Sequence, residues 1–524
     1  MRSLQSVLLV ALGAVLIGAA FLLPRVDGPS APPAEATTAA PTTDAAPTAP
    51  TNATSRFAAL RAAESIADPL LRCIDYPVPE RYRWSREALA AFCADELNPT
   101  LGWNEFHDAI EDGRSASIDS RLDALVEGYF AGSVPEGTLM STYADVFGYS
   151  SAVVGRSIDR WMRDSPASAH ALVAHGQHML STAYEARGEQ FAADTAPAEM
   201  ARMNVAREAA ERSFHAALAK NPRLLAAHKG LILAAKLNGD RGLAQSALEQ
   251  ALAVDPKNFY VRAAMMQILE PRWGGSLEAM RQLADAAVAY RPESPRLANL
   301  RAIALAHAGL EPYWAKDYAE ALRHFDAGLT EGPVGFYLEL ADFASAQLGD
   351  QERAVELASQ NLRFSPDHLA ARTSRANHLT ALGEFAWAES DLDVILAVRP
   401  RDPGALRARA QLLLRRGDDA AAAKGLEQLL SINPGDRWAK QSLAWLYGYR
   451  MNRSHDADAL IGEMLEQEPE SGELWLMRVK LLDAHPGPGM RDAVQSFLRH
   501  VDESSEEQRR MKSVAENWLS THPA

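Results

Sequence analysis

The side chains that could do chemistry are few. His170, His175 and His178 cluster in one stretch, with His175 and His178 three residues apart, a spacing that places them on one face of a helix. A metal would need a further ligand in fixed geometry, and the sequence signals none, so packing or surface histidines are the reading. Cys73 and Cys93 are the only cysteines. An oxidising compartment would join them and a reducing one would leave two buried thiols. They lack the Cys-x-x-Cys spacing of a redox pair. Arg272-Trp273-Gly274-Gly275 would let a ligand approach the backbone closely, or let the indole pack under a tight turn. Asp391/Asp393 and Asp456/Asp458 are two apart, so on a helix they diverge and read as solvated faces. No Gly-x-x-x-x-Gly-Lys loop, Gly-x-Ser-x-Gly elbow or His-Glu-x-x-His helix occurs. No catalytic residue, metal site or cofactor is therefore assigned.

The 53 Lys+Arg against 68 Asp+Glu give a net charge of −15, which argues against a nucleic-acid partner. Leu4 to Leu23 is almost unbroken apolar sequence, long enough as a helix to cross a bilayer. Residues 1–27 are read as a membrane anchor, with a cleaved signal segment as the rival reading. The expected topology is single-pass in the inner membrane, with the bulk of the chain in the periplasm. Residues 28–55, mostly Ala, Pro and Thr, read as a disordered tether.

The elements that would position any site repeat. Helical runs end at Pro222, Pro256, Pro292, Pro333, Pro366, Pro400, Pro434 and Pro469, with intervals of 34, 36, 41, 33, 34, 34 and 35 residues. Seventeen residues before most of these prolines stands Gly239, Gly275, Gly349, Gly383, Gly417 or Asn452. Gly and Asn close a helix in the left-handed conformation, and proline stops the next one. Small residues follow five after the turn (Ala244, Ala321, Ala354, Ala388, Ala422, Ala457), and bulky ones follow four later, as at Leu248, Phe325 and Leu392. The 41-residue unit carries an insertion around Leu310–Ala315.

This punctuation resembles the tetratricopeptide repeat. The resemblance implies an all-α fold: an α-solenoid of stacked helix-turn-helix units, preceded by an N-terminal helical region. The repeats would span 223–469, with a last unit and cap over 470–524. In that family the first helix of each unit lines a concave groove. Counted back from the turns, the groove positions carry Lys229, Lys236, Arg262, Arg272, Arg296, Arg407, Arg415, Arg450 and Arg478 against Glu339 alone. The implied peptide-binding residues are Lys229, Arg262, Arg296, Asn377, Arg407, Gln411, Arg415 and Arg450, and the implied partner is an extended acidic peptide. The two-carboxylate clamp of chaperone-binding members is not reproduced, since Leu233 follows Lys229 where the clamp has Asn.

Residues 56–222 are read as a separate helical domain, with helices near 56–75, 85–95, 116–130, 137–146 and 151–163. Ser165-Pro166-Ala167-Ser168 after Trp161, Ala186-Arg187-Gly188, and Pro271-Arg272-Trp273-Gly274-Gly275-Ser276 resemble the bacterial domain of unknown function 4034. That resemblance is mapped to 56–222, with an extension to about residue 300 left open, and implies no activity. The two functional readings are a non-catalytic interaction scaffold of the cell envelope, and an enzyme or regulatory subunit with its site in the N-terminal domain.

Overall fold

The computed structural model describes residues 57–97, 101–188 and 195–522. The candidate anchor at 4–23 and the tether at 28–55 lie outside the described residues. No described helix is long and apolar enough to cross a membrane. All regular structure among the described residues is helical. The chain forms two compact units, dividing after His368.

Helix pairs build both units. In the first, Leu225–Asn238 pairs with Arg241–Val254, Phe259–Ile268 with Leu277–Ala286, Ala298–Ala306 with Tyr318–Glu331, and Gly335–Gln347 with Gln351–Phe364. In the second, the first helices are Leu369–Leu382, Pro403–Arg416, Arg437–Tyr449 and Gly472–Ala484, each followed by its partner, with Glu506–Thr521 closing the chain. The turns are made as the residue types require. Gly239, Gly349, Gly383, Gly417 and Asn452 all have φ between 53° and 82°. In the Pro271–Ser276 loop the left-handed residue is Gly274, not Gly275; a Cβ on Gly275 would lie 2.1 Å from the Leu269 carbonyl oxygen. An aspartate follows several turns and caps the second helix: Asp240 accepts from the Leu243 N–H at 2.9 Å and Asp350 from the Arg353 N–H at 3.0 Å. Such a cap contributes about 1 kcal/mol. Ala244, Ala321, Ala354, Ala388, Ala422 and Ala457 are all fully buried, which lets paired helices approach closely.

Within the first unit, the segment before the repeats shares their interior. One apolar core runs without a break from Leu101 to Ile268. Phe106, Phe147 and Trp161 interlock within it, with ring centroids 5.0–5.6 Å apart. A second core joins Cys73, Trp84, Phe92 and Cys93 to Phe259, Phe325 and Phe364. Residue 222 is therefore not a boundary between cores, because apolar faces on both sides of it bury each other. The run read as one helix over 56–75 is two, Ala58–Glu64 and Pro69–Asp75. Asp68 caps the second at the Leu71 N–H, and Pro69 occupies its first turn. A helix at Trp103–Glu111 went unread in the sequence.

The second unit contains a buried ion pair. Arg375 donates through Nε and Nη2 to the two oxygens of Asp391, both at 2.7 Å, beneath the Trp387 ring. Asp391 is 1 % exposed, which corrects its reading as a solvated acid. Asp393, two residues on, faces the other way and pairs with Arg409.

Candidate peptide-binding faces

In the first unit, the three cations assigned to peptide binding, Lys229, Arg262 and Arg296, have internal partners. Arg262 is buried and donates to the carbonyls of Asn258 (2.9 Å) and Pro256 (2.6 Å), closing its own entry turn. Arg296 is also buried. It donates to Asp95 at 2.8 Å and Glu96 at 2.6 Å, and its guanidinium lies 4.6–4.8 Å from the ring centres of Phe92, Phe259 and Tyr260. The acidic ligand expected at Arg296 is thus supplied by the chain itself. Lys229 lies 5.5 Å from the Tyr260 ring centre, and burial holds its pKa below the usual lysine range.

Around Arg296 the carboxylates cap helices. Glu136 accepts from the N–H groups of Phe259 (2.7 Å) and Tyr260 (3.1 Å), and Asp95 from that of Gly137 (2.9 Å). Acids at helix N-termini are favourably placed, so this cluster serves architecture. Burial, then the nearby charge of Asp95, pushes the Glu136 pKa up to about 8. The folded state therefore holds a proton that the unfolded chain releases near pH 4.5. The stabilisation from this group is complete below about pH 4.5 and fades as pH rises through about 8. Glu136→Gln keeps an acceptor oxygen and removes the titration. Urea midpoints from about pH 5 to about pH 8 should decline less for the variant than for the parent; parallel declines would contradict the assignment.

The other residues singled out are packed. His170 lies between the Tyr143 hydroxyl (2.6 Å) and Asp123 (2.9 Å), His175 faces Ser213 at 2.7 Å, and His178 faces the Tyr149 carbonyl at 2.5 Å. The three do not converge, and no group of three or more metal-ligating side chains forms among the described residues. Trp273 packs near Lys236, whose Nζ is 5.0 Å from the indole centre. Cys73 and Cys93 form a disulfide with a Cα–Cα distance of 5.9 Å, both half-cystines buried.

The second unit presents a different surface. Asn377, Gln411, Trp445 and Lys480 each stand eight residues after the first residue of a first helix. Ala381, Arg415, Tyr449 and Ala484 stand four further on. Residues four apart share a helix face, so the eight form two parallel rows. Asn377, Arg415, Trp445 and Tyr449 are exposed and Gln411 is half-buried. Trp445 and Tyr449 are each 41 % exposed, with ring centres 6.4 Å apart. Arg415 donates to the Ala381 carbonyl at 3.3 Å from an otherwise exposed guanidinium.

Two assigned residues leave this face. Arg407 is held by both oxygens of Asp436 at 2.6–2.7 Å, over the Trp438 ring. Arg450 lies past the end of helix Arg437–Tyr449 and pairs with Asp419 at 3.1 Å. The turn there, 450–453, is longer than 383–384 and 417–418, and Asn452 stands 15 residues after its helix start where Gly383 and Gly417 stand 14, so counting back from Asn452 shifts the register by one. Counting forward from the helix start finds Trp445 and Tyr449, the two residues that sequence reading missed.

Residues 240–305 match the family model described as a domain of unknown function, DUF4034. The match covers Pro271–Ser276 and overlaps the first repeats; it lies in the extension toward residue 300 and does not reach 56–222. Ser165–Ser168 and Ala186–Gly188 fall outside it. The matched residues thus lie within the helix pairs that begin at Leu225–Asn238. No curated protein matches the chain. Among solved structures, a tetratricopeptide repeat protein from Parabacteroides merdae is 20 % identical, over 55 % of this chain and 99 % of its own, with a TM-score of 0.34. The Cut9–Hcn1 hetero-tetramer of APC/C is 12 % identical, over 82 % of this chain and 90 % of that one, at 0.34. Yeast Tom70 is 15 % identical, over 80 % and 91 %, at 0.27.

Proposed function

We propose that this protein is a non-catalytic interaction scaffold that binds an extended segment of a partner protein along the first-helix face of residues 369–522. The observation carrying this reading is the pair of rows that place Asn377, Gln411, Arg415, Trp445 and Tyr449 on one exposed face. Amide side chains suit a peptide backbone, large aromatics suit anchors, and the Arg415 guanidinium suits a carboxylate. The preferred segment is acidic. We further propose that residues 4–23 tether the chain to the inner membrane, with the folded part in the periplasm. The apolar run supports this, as does a disulfide, which persists in an oxidising compartment.

Labelled acidic, neutral and basic peptides titrated onto the protein test the reading. The acidic pool should bind best. Trp445→Ala and Arg415→Glu should each weaken it roughly tenfold, the loss that follows when an anchor of ~1.4 kcal/mol is removed. A preference for basic peptides, or indifference to both substitutions, would sink it. The alternative, an enzyme or regulatory subunit, needs a site in the N-terminal segment; the apolar packing of Phe106, Phe147 and Trp161 there supports the scaffold reading over it.

A further inference from the structure

The insertion in the 41-residue unit is not used by the function proposed above. It folds as the short helix Leu310–Trp314, ahead of helix Tyr318–Glu331. Its effect is to gather aromatic rings. Tyr313 is the hub, with ring centres at 5.1 Å (Trp314), 5.8 Å (Tyr318), 5.9 Å (Phe343) and 6.0 Å (Phe325). Tyr318 and Phe343 are themselves 5.9 Å apart, at a steep interplanar angle. Phe325 below is fully buried, whereas Trp314 is 52 % and Phe343 45 % exposed. Phe343 stands eight residues into helix Gly335–Gln347, the register place that Gln411 and Trp445 hold in their helices. Side chains this large are normally interior; here Trp314 on the insertion and Phe343 on its own helix stand outward.

The surroundings are acidic. Glu311 and Asp317 are exposed here beside Lys316, while Glu320 is paired with Arg323 and His324. Glu339, on the helix of Phe343, is exposed, and both Glu339 and Asp342 act electrostatically on the Tyr313 hydroxyl. Lys316 itself is held at φ 63°.

We infer that this platform docks a cationic, proline-containing segment of a partner protein. Aromatic faces attract guanidinium and ammonium groups, and the acidic rim selects the same charge. Proline rings in an extended segment lie well on Tyr- and Trp-lined surfaces, because that conformation is already formed before binding. The net charge of −15 favours a basic partner in encounter and repels a second copy of this chain. The site lies in the first unit and prefers the charge opposite to that proposed for residues 369–522, so it stands or falls separately.

Fluorescence anisotropy on the full chain tests it, with a labelled peptide of alternating proline and arginine as probe and the same peptide with glutamate for arginine as control. The arginine peptide should bind, weaken with salt, and outcompete the glutamate form. Trp314→Ala should weaken binding roughly tenfold and Glu339→Lys by more, while Trp445→Ala leaves it unchanged. Because Trp314 is half exposed, its variant should melt with the parent, and Glu339→Lys tests the charge independently. Equal binding of the glutamate peptide, or unchanged affinity in both variants, overturns the inference.

Discussion

Arg296→Met should destabilise the first unit by about 3–5 kcal/mol, the usual cost of removing one partner from a buried ion pair. The guanidinium is 8 % exposed and binds two carboxylates, Asp95 and Glu96, through separate nitrogens. Methionine preserves the apolar stem against Phe92, Phe259 and Tyr260, so the loss reports on charge rather than on packing. Asp95, whose side chain is 9 % exposed, is then left without its cation while still capping the helix at Gly137. Urea denaturation followed by near-ultraviolet circular dichroism measures the loss. Adding Asp95→Asn and Glu96→Gln to the methionine variant should recover part of it, since uncompensated charge is the cause. A loss below about 1 kcal/mol, typical of an exposed pair, would show that water reaches the carboxylates.

The second large effect concerns the disulfide. Replacing Cys73 and Cys93 together with serine should cost about 3 kcal/mol, from the loop closure that the bond imposes on the unfolded chain at a separation of 20 residues. The bond joins helix Pro69–Asp75 to helix Arg86–Leu97. Both helices are also held by distant residues: Arg363 donates to the Cys73 carbonyl at 2.5 Å and Arg296 binds Asp95. The serine pair and Arg296→Met should therefore couple rather than add. A denaturation midpoint indifferent to the serine pair would mean that the noncovalent contacts alone hold the two helices together.

The repeat was legible because its punctuation is chemical. Proline cannot continue a helix and Gly or Asn tolerates φ near 60–80°, so Pro256, Gly349 and Asn452 declare themselves without neighbours. Interior alanines such as Ala354 were legible for the same reason, since close helix approach requires a small side chain there. The charged face was not. Arg296 and Asp95 stand 201 residues apart, and nothing local announces their pairing. Arg407 finds its acid 29 residues on, at the Asp436 cap of the next unit, a partner visible only once units are stacked. Arginines counted as free for a ligand were thus already engaged. Arg450 was displaced by one residue in a turn, and that displacement hid Trp445 and Tyr449.

The contacts of residues 73–97 also fix an order of assembly. Trp84 donates to the Leu329 carbonyl at 2.5 Å, and Arg363 reaches Cys73 across 290 residues of chain. A ribosome delivers the cysteines long before it delivers those partners. The cysteine pair can close as a local hairpin early, but Trp84 and Phe92 stay uncovered until residues 259–364 have emerged and paired. Docking of that hairpin is the late, long-range step, and such steps are slow. A nascent chain stopped short of residue 259 would display the same aromatic rings that the finished protein hides, and would be the species most prone to aggregate or to need a chaperone.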